Sequence, residues 1–306
     1  MQKFYSHGKL LISGEYVVLD GATAFALPTK FGQTLEVKKT EDPVIQWKSL
    51  DHKGEIWFQD TFEIADLENS EVPQKHQNNE VSKMLFLTLF SAAKMAPEIL
   101  KCNHGYEINT KTDFPRHWGL GTSSTLIANL AKWMQIDPYK LLESTFGGSG
   151  YDIAVAMQKT PVTFEKNESQ NSILKTSFAP PFKDQLFFVH LNQKQNSRHS
   201  IEHYRQQDKK ALDTAIEKIS ALTHIIVNCK DLLEFELLLE VHENIISQLL
   251  GLQKVKNRLF PDYPGAVKSL GGWGGDFVLA TGTAEDLMYF ERKGYSTILP
   301  YSEIIL

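Results

Sequence analysis

The sequence predicts an α+β protein in two halves, and three observations predict it. Short apolar runs bounded by glycine and polar residues dominate the first half, as strands require. A few segments repeat their apolar residues every three or four positions, as amphipathic helices do. These helical segments lengthen after Pro180-Pro181, so the boundary is expected there, dividing 1–178 from 179–306.

Taken in order, residues 9–12 and 16–19, punctuated by Gly14 and Gly21, read as a hairpin. Strands continue at 34–38, 44–47 and 55–62. Asn78-Asn79-Glu80 opens a helix with Val81, Leu85, Leu89 and Ala92 spaced along one face. Residues 106–110 form another strand, then a loop over 113–121 leads into a helix over 122–135. Asp137-Pro138 starts a short helix that ends before Gly147. In the second half, 185–191 reads as a buried strand, and Leu212, Ile216, Ile219, Leu222 and Ile226 form an amphipathic stripe. Residues 231–252 make a second long helix with leucines on both sides, and strands at 275–280 and 295–299 flank a helix near 284–292.

Composition narrows the function. A net charge of −5 leaves no basic footprint for nucleic acid, although local clusters can still bind anionic small molecules. Two isolated cysteines, Cys102 and Cys229, argue against a disulfide scaffold or a zinc site and for a reducing compartment. No signal-peptide pattern and no long apolar run is seen, so a cytoplasmic location without a membrane span is expected.

Three segments carry chemistry. Pro115-Arg116-His117-Trp118-Gly119-Leu120-Gly121-Thr122-Ser123-Ser124-Thr125 precedes an apolar helix. Glycines let successive N–H groups face one point, and a helix start favours negative charge, so the segment suits phosphate. An N-capped helix after a glycine turn fits the same residues. Lys9, in Ser6-His7-Gly8-Lys9-Leu10-Leu11-Ile12-Ser13-Gly14-Glu15-Tyr16, is either an edge charge or a buried functional cation. Asp152, in Gly147-Gly148-Ser149-Gly150-Tyr151-Asp152-Ile153-Ala154, is either a helix cap or a general base. A fourth run, Lys268-Ser269-Leu270-Gly271-Gly272-Trp273-Gly274-Gly275-Asp276, concentrates glycine where backbone must approach something closely.

These four segments, in this order, resemble the motifs of the GHMP kinase superfamily and, within it, the mevalonate and phosphomevalonate kinases. The likeness runs from about Ser6 to Ala280. It implies an α+β N-terminal domain like ribosomal protein S5 domain 2, with a left-handed crossover. It also implies a ferredoxin-like C-terminal α/β sandwich and a site between the two. By the resemblance, Gly119, Leu120, Gly121, Thr122, Ser123 and Ser124 wrap the phosphates of ATP, and Ser123 helps hold Mg2+. Asp152 and Lys9 are the catalytic pair. Glu15, Tyr16, Ser149, Gly150, Arg198, Gly272, Gly274 and Gly275 lie toward the substrate. Glu143 is the one glutamate available as a second metal ligand, and a solvated helix-face residue is its other reading. Arg116 and His117 are further candidate anion ligands.

Trp273 stands where the family has glycine, crowding the nucleotide or stacking on a ring, and the interval from Ser123 to Asp152 is short. The resemblance implies phosphoryl transfer from MgATP to a small acidic metabolite, mevalonate or 5-phosphomevalonate. A non-catalytic ATP-binding sensor and a diphosphomevalonate decarboxylase are the alternatives. The expected partners are therefore ATP and a small substrate, with no nucleic acid and no membrane, and a homodimer as a candidate assembly.

Overall fold

A computed structural model describes residues 1–100, 103–193, 197–273 and 275–306, with backbone only at 99–100 and 197–200. Cys102 lies outside the described residues. The chain forms two compact units, each discontinuous in sequence: Met1–Gly8, Phe31–Arg116 and Gly121–Met157 in one, and Lys9–Lys30, His117–Leu120 and Gln158–Leu306 in the other. The strands are β1 (Gln2–Ser13), β2 (Ala24–Thr40), β3 (Val44–Leu50), β4 (Ile56–Glu63), β5 (Gly105–Thr112), β6 (Val162–Glu165), β7 (Ser172–Lys175), β8 (Leu186–His190), β9 (Val267–Ser269), β10 (Phe277–Thr281) and β11 (Ile298–Pro300).

In the first unit β3 pairs antiparallel with β4 and parallel with β5, and β5 pairs antiparallel with β2 from Gln33↔Thr112 to Thr40↔Gly105. The sheet is therefore mixed. Side chains alternate along β3, so Ile45 and Trp47 turn inward while Gln46 faces solvent. The inward face meets Leu85, Phe86 and Leu89 of the helix Glu80–Met95 and Ile127 and Leu130 of the helix Thr122–Met134 in one apolar core. That packing holds the Thr122 helix start in place.

The second unit contains a fully antiparallel sheet, β11-β8-β10-β9. Every residue of β8 and β10 is buried, which is why they read as unbroken apolar runs. The helix Leu232–Leu250 packs on β9 and on the helix Lys209–Asn228. It begins at Asp231, whose side chain accepts from the Glu234 N–H at 2.9 Å, and stops at Gly251 in the left-handed region at φ 65°. Here β2 pairs with β6, and β6 with β7. Among the described residues no helix is long and apolar enough to cross a membrane.

The hairpin expected over 9–19 does not form. β1 runs to Ser13, then Gly14 (φ 99°) and Tyr16 (φ 64°) curl the chain into a 3-10 turn over Val17–Asp20. Val17 and Val18 are adjacent and both buried, which a strand facing one core cannot arrange. The helix expected near 284–292 is regular only over Met288–Arg292.

Candidate active site

In the first unit the helix Thr122–Met134 starts from Gly121, held left-handed at φ 91° and ψ 47°, and no side chain caps it. The hydroxyls that could cap it point backward. Ser124 Oγ donates to the Gly121 carbonyl at 2.9 Å, and Thr125 Oγ1 donates to Gln33 Oε1 at 2.9 Å. Asn129 Nδ2 donates to the Gln33 carbonyl at 2.8 Å and accepts at Oδ1 from Ser6 Oγ at 2.8 Å, anchoring the helix to β1 and β2. Among the described residues the first-turn N–H groups of Thr122, Ser123 and Ser124 thus have no side-chain acceptor, and Ser123 is exposed beside them. Such a terminus is an anion site in waiting.

Asp152 is the second residue of the helix Tyr151–Gln158 and is half-buried. Among the described residues its Oδ1 meets the adjacent Ile153 N–H alone, at 3.0 Å, so it lies inside the first turn and does not cap it. Ser149 precedes that helix, buried, with Oγ accepting from Tyr151 N–H at 3.4 Å, and the Gly150 carbonyl accepts from Ala154 N–H. Burial first, then the Asp152 carboxylate, push the Tyr139 hydroxyl far up from its ordinary value. Glu143 ends the helix Pro138–Glu143 and is exposed. The Arg116 guanidinium stacks 3.2 Å over the Trp57 ring centroid, a contact that uses its face and leaves the in-plane N–H edge as the part an anion would meet.

In the second unit, the Lys9 N–H donates to the Leu120 carbonyl at 3.0 Å and its Nζ to the Gly119 carbonyl at 3.4 Å. The lysine is thereby laid along the glycine loop. Gly119 (φ 67°) is required by sterics as well, because a Cβ there would sit 2.4 Å from the Asp276 carboxylate. Lys9, Trp118, Gly119, Gly271 and Asp276 line one small cavity. Gly275 N–H donates to the Gly272 carbonyl at 3.2 Å, closing the glycine-rich turn. Gly274 lies outside the described residues, and so does the side chain of Arg198, whose backbone belongs to the helix Ser197–Tyr204. The His117 ring packs edge-on against His190 at 5.0 Å.

Glu15 and Tyr16 face inward. Glu15 has no exposed surface and pairs through Oε1 with Lys268 Nζ, while Oε2 lies 3.1 Å from His242 Nε2. The Gly14 N–H is directed at the same nitrogen, 3.2 Å away. One nitrogen cannot both accept and donate here; the Gly14 N–H is in hydrogen-bond geometry with Nε2, and Glu15 Oε2 has no hydrogen-bond partner among the described residues, so we place the proton of the neutral ring on Nδ1. Burial would push the Glu15 carboxyl up, but the Lys268 ammonium and His242 overrule it and bring it down to about 2. Glu243 Oε2 accepts from Ser269 Oγ at 3.4 Å, and burial lifts its carboxyl to about 8. Burial, then Lys268, push His242 down, so it is neutral at pH 7. Tyr16 stacks on Tyr204 at 5.8 Å, and its hydroxyl accepts from the Trp273 N–H at 2.8 Å. Trp273 is itself buried, its indole N–H donating to the Gln253 carbonyl at 3.3 Å; the ring is spent on packing.

Lys268, His242, Glu243 and Asp276 were not among the residues singled out for a role from the sequence. The signal was faint. His242-Glu243 interrupts an otherwise leucine-rich helix, and Lys268 opens the glycine-rich run. Among the described residues no group of three or more His, Cys, Asp or Glu side chains could hold a metal ion.

No family model and no curated protein matches the chain. Solved structures do. The Methanococcus jannaschii mevalonate kinase aligns over 97% of this chain and 96% of its own, with a TM-score of 0.69 at 14% identity. The Streptococcus pneumoniae phosphomevalonate kinase in complex with phosphomevalonate and AMPPNP aligns over 100% and 98%, with a TM-score of 0.69 at 15% identity. A Lactococcus lactis galactokinase complexed with galactose aligns over 97% and 92%, with a TM-score of 0.69 at 13% identity. With its mixed sheet, its second antiparallel sheet and these near-full-length likenesses, the chain has the two-domain fold of the GHMP kinases.

Proposed function

We propose that this chain is an ATP-dependent small-molecule kinase acting on a small anionic metabolite, mevalonate or 5-phosphomevalonate. The observation that carries the reading is the helix start at Gly121. It is glycine-flanked, uncapped and exposed at Ser123, in a chain with a kinase fold. Neighbours of this fold include kinases of mevalonate, phosphomevalonate and galactose, one of them holding an ATP analogue.

The residues fit a nucleotide and its magnesium. The N–H groups of Thr122, Ser123 and Ser124 suit phosphate oxygens, with Gly119, Leu120 and Gly121 supplying the close backbone. Magnesium bound to nucleotide phosphates needs few protein ligands, which suits the hydroxyl of Ser123 with a single carboxylate, Glu143 being the candidate. The metal ion would neutralise charge on the phosphates. The chain's own groups do the rest. Asp152, half-buried and not engaged as a cap, orients the acceptor oxygen and takes its proton. Lys9, steered by the Gly119 carbonyl, stabilises charge on the transferred group. Phosphoryl transfer asks chiefly for such positioning and neutralisation. Ser149, Gly150, Gly272 and Gly275 are the described candidates for the acceptor side.

ADP release by purified protein with MgATP tests this, with mevalonate, phosphomevalonate, diphosphomevalonate and galactose in parallel. The expected result is release dependent on one acceptor and abolished in Asp152→Asn. Carbon dioxide release with diphosphomevalonate would make it a decarboxylase, and ATP binding without turnover on any acceptor would favour the sensor.

A further inference from the structure

We propose that Lys268 is a positioning residue for the transfer: its buried ammonium, through Glu15, locks the turn at 14–16 to the glycine-rich segment that begins at Gly271. This rests on the kinase reading for its consequence and on geometry for its mechanism.

The turn cannot hold its shape alone. Tyr16 sits at φ 64°, a region side-chain-bearing residues avoid, and persists only where the surroundings over-determine it. Gly14 at φ 99° leaves no room for a side chain, since a Cβ would lie 2.7 Å from Ala24 Cβ. Two parallel ties supply the constraint. Glu15 Oε1 meets Lys268 Nζ, and the Tyr16 hydroxyl accepts from Trp273 N–H at 2.8 Å, so residues 15 and 16 grip residues 268 and 273. Lys268 Nζ also donates to the Ser269 carbonyl at 2.9 Å, fixing the ammonium at the end of β9.

What the ties hold is the reacting lysine's surroundings. β1 carries Lys9 and ends one residue before Gly14, and Gly271 and Asp276 line the same cavity as Lys9 and Gly119. A buried ion pair adds little net stability compared with apolar packing of equal volume. Its effect here is geometric: it makes the turn and the glycine segment move as one.

The groups around the ammonium add a second consequence. Glu15 from the turn, Glu243 and His242 from the helix Leu232–Leu250, and the Ser269 carbonyl from β9 surround it, with the Ser269 hydroxyl on Glu243. Glu243 Oε1 and His242 Nδ1 have no hydrogen-bond partner among the described residues. Neutral Glu243 leaves Lys268 to Glu15. Ionised, above about pH 8, it competes for the ammonium and loosens the lock.

Amide hydrogen exchange on the full chain tests the lock without needing turnover, in Lys268→Met and in the charge-free pair Glu15→Gln/Lys268→Met. Exchange at 12–18 and 268–273 should rise ~10-fold or more in both, with the helices Leu232–Leu250 and Thr122–Met134 unchanged. Unaltered exchange there, or a rise spread evenly over the chain, would overturn the proposal. So would failure of the charge-free double variant to fold, because the pair would then be a stability element. With an acceptor identified, both variants should raise the acceptor KM ~10-fold and leave the ATP KM alone, and the wild-type acceptor KM should climb above pH 8 but not in Glu243→Gln. A matched change in both KM values would also count against it. Absence of turnover on every acceptor would defeat the kinase reading and leave the lock to the exchange result.

Discussion

The helices Glu80–Met95 and Thr122–Met134 belong to the same unit and share one apolar core, yet they begin in opposite ways. Asn79 folds its side chain over the first and accepts from the Val81 and Ser82 N–H groups at 3.0 and 3.1 Å. Asp137, Asp208 and Asp231 do the same for the helices that follow them. The Thr122 helix has four hydroxyl residues after Gly121 and uses none as a cap; Ser124 donates back to the Gly121 carbonyl and Thr125 to Gln33 Oε1 instead. A capped terminus is satisfied by its own chain. An uncapped, exposed terminus reached through a left-handed glycine keeps its donors for something else.

The sharpest test of that contrast concerns the helix Tyr151–Gln158, whose first-turn aspartate is also not a cap. Asp152→Asn should lower kcat by about 10^3-fold while leaving the ATP KM within a few-fold, measured by ADP release with the preferred acceptor. Activity within a few-fold of wild type would return Asp152 to the ordinary helix residues.

The next effect is on stability. Glu243 is protonated in the folded chain up to about pH 8, whereas its unfolded carboxyl titrates near the ordinary value of 4.5. Between those values the folded chain keeps a proton that the unfolded chain has lost, so the group makes stability fall as pH rises through that window. Glu15 works the other way, supporting the fold above pH 4.5 and losing that support as pH falls toward about 2. Urea denaturation at pH 5 and pH 8.5 should therefore show a smaller drop in Glu243→Gln than in wild type. An identical drop would mean that Glu243 is ionised in the folded chain.

The last two form a mirror pair. Ser123→Ala should weaken magnesium-dependent ATP binding ~10-fold, about 1.4 kcal/mol, with the melting temperature almost unmoved. Asn79→Ala should cost about 1 kcal/mol of stability by thermal or urea unfolding and leave ATP affinity unchanged. Calorimetric titration and melting on both variants decide between the two kinds of terminus. If Ser123→Ala destabilises as Asn79→Ala does, the contrast is broken.

Much of the fold was legible because local chemistry agreed with the tertiary result. The Asn79, Asp137 and Asp231 caps mark helix starts, and the Leu186-Phe187-Phe188-Val189 run marks a strand buried on both faces. The segment 9–19 failed as a hairpin because two left-handed residues, Gly14 and Tyr16, redirect the chain after Ser13. Nothing in the side chain of Tyr16 announces a positive φ. Lys268 and Glu15 were separately visible as charges, but their pairing spans most of the chain.

The sequence by itself determined several helix starts and buried strands, the glycine loops, and the family likeness of the four motifs, since each is written in neighbouring residues. Only the tertiary structure decided that Glu15 is buried against Lys268 and His242, that Trp273 turns into the core, and that Asp276 meets Gly119. The physical reason is distance along the chain. Caps and turns are satisfied within a few residues, whereas a buried charge is tolerable only beside a partner that folding must bring from elsewhere.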